Sequence, residues 1–114
     1  MTDRKIDLVF FETQTGRQPV LEWLKELPRA DRHTIGQDLM RLQWRWPVGM
    51  PLCLSLRDGL WEVRSSLPSN RIARVIFCAH DGELVALHAF IKKRQKTPHD
   101  DLDLALTRKK ELNS

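Results

Sequence analysis

Tyrosine is absent from the 114 residues, and cysteine is reduced to two, Cys53 and Cys78. Two isolated cysteines, each flanked by apolar residues, make neither a disulfide framework nor a zinc site. They read as small core hydrophobes. CxxC and HExxH do not occur, and no pair of histidines has metal-ligand spacing, so no metal or cofactor is expected. A Gly-rich phosphate loop and a G-x-S-x-G elbow are also missing, and the serines cluster in turns. Hydrolysis by a serine or cysteine triad therefore has no support. Apolar runs fall short of the roughly 18–20 residues that span a bilayer. The opening "MTDRKIDLVFFETQ" lacks the long apolar stretch of a signal peptide. A cytoplasmic protein with no membrane partner and no small-molecule cofactor is the expectation. Repeats and long linkers are lacking too, and the length suits one domain, residues 1–114.

What is present is ordinary in bulk and uneven in detail. Apolar residues make up 41% and charged residues 30%, and the net charge is +4. That balance permits a nucleic-acid partner without requiring one. "KIDLVFF" (Lys5 to Phe11) alternates as a strand does. From Pro19 the spacing of Val20, Leu21, Leu24 and Leu27 is helical, with Pro28 ending the helix. A second helix starts near Arg29 or Ala30, with Ile35, Leu39, Leu42 and Trp46 as its apolar stripe. "WPVGMP" closes it. The period then falls to two. Strands are predicted at Cys53 to Leu56, Leu60 to Ser66, Arg71 to Ala79 and Glu83 to Ile91, joined by "RDG", "SLPSN" and "HDG" turns. Thr97 is a candidate N-cap, Pro98 a first helical residue, and Asp100 and Asp101 suit the positive end of the helix dipole. The order β-α-α-β-β-β-β-α predicts an α+β fold. Its mainly antiparallel sheet has two helices on one face, and the other face is left for solvent or a partner.

Three features point to chemistry. A β-hairpin symmetric about Ser69 sets Arg64 opposite Arg74, and like charges facing across strands are unfavourable. Either an anion such as phosphate sits between them, or Arg64 pairs with Glu62 or another acid and Arg74 is merely exposed. Four of the five residues from Lys92 to Lys96 are cationic. Lys92, Lys93, Arg94 and Lys96 thus concentrate positive charge in a short connection, which attracts polyanions. His88 stands alone on an apolar strand. It is either a satisfied core histidine or a proton-transfer group. Of the four tryptophans, Trp23 falls off the stripe of its helix and either packs on the second helix or meets a partner.

The segments "RQPVLEWLKELP", "GLWEVR", "RIARVIFC" and "LVALHAFIKKRQKTP" resemble the RelE/ParE toxin superfamily, from about Lys5 to Glu111. The nearest likeness is to the phage-derived, HigB-like branch of type II toxin–antitoxin toxins, with its "GLxELR" and "LLHGFxKKTxKTP" patterns. The resemblance implies a RelE-like fold and a ribosome-dependent mRNA endonuclease, an mRNA interferase, that needs no metal and inhibits translation. It implies a cognate helix-turn-helix antitoxin, the ribosome and mRNA as partners. By position, Arg64, Arg74, Lys92 and His88 become candidate catalytic residues, and Lys93, Arg94 and Lys96 candidate RNA-binding residues. Ala89 replaces the pattern's glycine, Arg94 replaces its threonine, and the tyrosine beside the strand arginine is missing. Proton transfer then falls to His88, a lysine or ribosomal groups. Three rivals share these features: a ParE-like gyrase inhibitor, a non-enzymatic nucleic-acid or ribosome-binding domain, and a degenerate toxin kept as an interaction partner.

Overall fold

The computed structural model describes residues 5–49, 51–92 and 97–113. β1 (Leu8–Phe10) is followed by α1 (Pro19–Lys25) and α2 (Arg29–Arg45). Four strands come next, β2 (Cys53–Ser55), β3 (Trp61–Ser66), β4 (Ile72–His80) and β5 (Glu83–Ile91), and α3 (His99–Glu111) closes the chain. The strands form one sheet in the order β1-β5-β4-β3-β2. β2 to β5 run antiparallel to their neighbours, while β1 pairs parallel with β5, so the sheet is mixed. This is the expected α+β element order.

Local chemistry sets the boundaries. The β2–β3 and β4–β5 connections each turn on an Asp-Gly pair with positive φ at both residues, Asp58-Gly59 and Asp81-Gly82. That geometry matches the twist of a hairpin and is tolerated best by those two residue types. Trp46, expected on the helical stripe, is instead the extended C-cap of α2. It precedes Pro47, which disfavours the helical conformation at the residue before it. Its ring still enters the core, edge-on to Trp61 at 5.0 Å and to Phe77 at 5.5 Å.

The sheet carries two apolar faces. On one, Val63, Val75, Phe77, Leu84 and Ala86 pack with Val20 and Leu24 of α1 and Ile35, Leu39 and Leu42 of α2. On the other, Leu60, Ile76, Cys78, Val85 and Leu87 pack with Phe11 and with Ala105 of α3. The expectation of an uncovered second face is therefore corrected. The stripe of Leu102, Ala105 and Leu106 is apolar enough to require a surface, and the even-numbered residues of β4 supply one. Burial pushes the Cys53 thiol up to about 11 and raises that of Cys78, as befits inert core cysteines.

Thr97 and Pro98 differ from their expected roles as well. Pro98 is the N-cap of α3, and no side chain caps the helix. The Thr97 hydroxyl is engaged elsewhere, with a buried carboxylate of the sheet. A charged acceptor binds a hydroxyl more strongly than a neutral backbone N–H completes a cap.

Candidate functional site

The predicted register holds: Arg64 and Arg74 are directly paired across β3 and β4. The anion between them is the protein's own. Glu62, two residues before Arg64, points to the same face of β3 and is fully buried. Arg64 Nε donates to Glu62 Oε1 at 3.2 Å, and Arg74 Nε lies 3.3 Å from the same oxygen. Arg74 Nη1 donates to Glu62 Oε2 at 3.4 Å and to Thr97 Oγ1 at 3.0 Å, and the Thr97 hydroxyl donates to Glu62 Oε2 at 2.6 Å. One carboxylate thus joins two arginines and the start of α3.

The two arginines are unequal. The Arg64 side chain keeps 31% of its surface exposed, whereas that of Arg74 keeps none. Burial pulls the Arg74 guanidinium below its usual range, Glu62 pulls it back, and Arg64 repels it further down. The reading of Arg74 as merely exposed is corrected by this burial. Its side chain has no exposed surface and contacts Glu62 and Thr97. Arg74 braces Glu62 and Thr97 and so fixes where Arg64 stands.

His88 is neither a plain core residue nor isolated. A β-bulge interrupts the β4–β5 ladder: Ile76 pairs with His88, but Phe77 pairs with Ala86. The extra residue, Leu87, goes to the second core, and His88 also turns toward α3. Its Nε2 lies 2.5 Å from Asp101 Oδ1, with side-chain exposures of 16% and 25%. Phe90 stacks on the His88 ring at 5.6 Å. Asp101, expected only to start a helix, is therefore a site residue that sequence reasoning missed. Thirteen residues separate the two, and only the packing of α3 on β5 brings them together.

A cleft of about 720 Å³ opens beside this pair, lined by Trp23, Arg71, Phe90, Ile91, Lys92, Pro98 and Asp101. Lys92 lies at its rim, with its N–H held by Ile72 O at 2.7 Å. Arg71 is fixed from behind by Asp31, whose Oδ2 accepts from Arg71 Nη2 at 3.3 Å and from Ser69 Oγ at 2.8 Å. A smaller cavity of about 170 Å³ is bounded by Pro19, Val20, Trp23, His88, Ala89 and Arg108. Trp23 borders both, which explains its place off the apolar stripe of α1. The expected RNA-binding residues Lys93, Arg94 and Lys96 lie outside the described residues, immediately after Lys92 in the chain.

Sheet, bulge and helix thus define an α+β domain with a cation- and aromatic-lined cleft at the exit of β5, with Asp101 in its wall and His88 on the smaller cavity beside it. The family model of the phage-derived Gp49-like proteins (DUF891) matches residues 22–110. The chain belongs to this family, a RelE-like toxin family. No curated protein matches it. Among the described residues, no helix is long and apolar enough to cross a membrane.

Proposed function

We propose that the protein is the toxin of a type II toxin–antitoxin pair, of the HigB-like branch, and that it cleaves mRNA on the ribosome. The observation that carries this reading is the cleft. Arg71 and Lys92 offer positive charge and Trp23 and Phe90 offer flat apolar surface in one concavity, and Asp101 in its wall pairs with His88, which lines the smaller cavity beside it. Single-stranded RNA is held by that combination of cations for phosphate and rings for bases.

The reaction is transphosphorylation by the RNA's own 2′-hydroxyl, which leaves a cyclic phosphate and a 5′-hydroxyl. The protein aligns the nucleophile and neutralises charge that grows on the phosphate. Arg64 and Lys92 are suited to that charge, with Arg74 holding Arg64 from behind through Glu62. Lys93, Arg94 and Lys96 grip the flanking backbone. A cognate helix-turn-helix antitoxin restrains the activity by covering the basic surface or blocking ribosome entry.

The test is primer extension on a defined mRNA, carried by translating ribosomes and free of them. Wild-type protein is compared with Arg64→Ala and Lys92→Ala variants that melt as the wild type does. Cuts that need the ribosome and drop at least about a hundredfold in the variants are expected. Intact mRNA on active ribosomes overturns the reading and directs the next assay to DNA supercoiling by gyrase.

A further inference from the structure

We infer that Asp101 is a positioning residue that sets the tautomer of His88, making its Nδ1 the base that takes the 2′-hydroxyl proton. This rests on the endonuclease reading above. Without tyrosine, the chain has few side chains able to move a proton near neutral pH. Among the described residues His88 is the one histidine that lines a cavity with Trp23 and Arg108, next to the cation-lined cleft. His33 is on the exposed side of α2 at a different cavity, His80 pairs with the exposed Asp81, and His99 pairs with Asp103 on the outside of α3.

His88 Nε2 and Asp101 Oδ1 are within hydrogen-bond distance, at 2.5 Å. An ionised carboxylate has no proton to give, so in a neutral ring the proton must sit on Nε2. The lone pair is then on Nδ1, which has no partner among the described residues. Phe90 stacked on one face limits rotation of the ring. A carboxylate that orients a histidine and supports the imidazolium formed during reaction is the arrangement by which a modest base becomes an effective one. The charged groups facing the pair are Arg108 on α3 and, across the larger cleft, Arg71 and Lys92. All are cations able to hold a phosphate near the base.

The step balances. The 2′-oxygen passes its proton to Nδ1 as its electron pair forms the O2′–P bond. The P–O5′ bond breaks with its pair on O5′, which takes a proton from water. The imidazolium then returns its proton to the hydroxide left behind, and the ring regains the Nε2–H form.

Two measurements on the whole chain test this together. Nitrogen-15 NMR of the neutral His88 ring reads the tautomer, and single-turnover cleavage on ribosomes reads the rate. Wild type is expected to show Nε2–H. Asp101→Ala mixes the tautomers and slows cleavage at least about tenfold at saturating ribosomes, with His88→Ala slower still. Asp101→Asn, whose carbonyl can still accept from Nε2, restores the tautomer and part of the rate. A merely structural Asp101 would not give that rescue. An unchanged tautomer in a folded Asp101→Ala protein overturns the inference, as does wild-type cleavage by that variant. If the wild type itself fails to cut, the endonuclease reading falls first and the proton-transfer role with it, whatever the ring shows.

Discussion

Glu62 is the residue on which the sheet face depends. It is buried between two guanidinium groups and a hydroxyl, and removing it takes away the carboxylate that faces both the buried Arg74 and Arg64. Breaking a buried ion pair from one side costs about 3–5 kcal/mol, whereas replacing the pair by apolar residues of similar size is often neutral. Glu62→Ala is therefore expected to lose most of that amount in urea unfolding, and the double variant Glu62→Leu, Arg74→Met to recover much of it. If Arg74 contacted RNA directly instead, the double variant would be stable and Arg74→Lys alone would weaken RNA binding. The hairpin symmetry that sets Arg64 opposite Arg74 was legible in the sequence, because two arginines equidistant from a turn must meet. Pairing of Arg64 with Glu62 was legible as one of two alternatives and is borne out, whereas the burial of Arg74 on the same carboxylate was not. Alternation puts Glu62 on the same face as Arg64, but only the burial of that face decides that a carboxylate, and not an external phosphate, fills the space.

At the scale of elements, α3 and the β3–β4 turn fix the cleft walls. Helix α3 lies on the second sheet face through Ala105, which has no exposed surface. A larger side chain there forces the helix outward, and Ala105→Leu is expected to destabilise by about 1–3 kcal/mol in denaturant unfolding. It should also weaken the His88–Asp101 contact, since Asp101 rides on the same helix. The turn is held by Asp31 of α2 through Ser69 and Arg71. Burial works to raise the Asp31 carboxyl, but the hydrogen bonds from Ser69 and Arg71 outweigh it, and the net direction is downward. A folded-state pKa below the unfolded one means stability that is complete above the ordinary carboxylate range, about 3.9 for aspartate, and lost as pH falls through the folded value. Asp31→Asn should accordingly melt lower than wild type at pH 7, with the gap narrowing as pH drops below about 4 in thermal scans. Element order and hairpin turns were legible because periodicity and Asp-Gly pairs are local. The landing site of α3 was not. An apolar stripe says that a helix must be covered, but it does not say by which surface, so the second face was read as free.

For the whole molecule, a net charge of +4 on 114 residues understates the field near the cleft. Lys92 and the three cations between it and Thr97 follow one another without an acid, while the acids Asp100, Asp101 and Asp103 sit on α3 just beyond. Two of those carboxylates are paired, Asp101 with His88 and Asp103 with His99. In the cleft, Arg71 is paired with Asp31 and Asp101 shares the lining, so among the described residues Lys92 is the lining cation without an ion-pair partner to offset it. Binding of single-stranded RNA should weaken linearly in the logarithm of salt concentration, with a slope of about −0.7 for each phosphate neutralised. Lys92→Ala should reduce that slope by about 0.7 at any RNA sequence. Trp23→Ala should leave the slope unchanged and lower affinity at every salt concentration, because stacking on an indole releases no counterions. Fluorescence titration across a salt series separates the two. A Trp23 variant that shifted the slope, or a Lys92 variant that did not, would place the RNA on a different surface from this cleft.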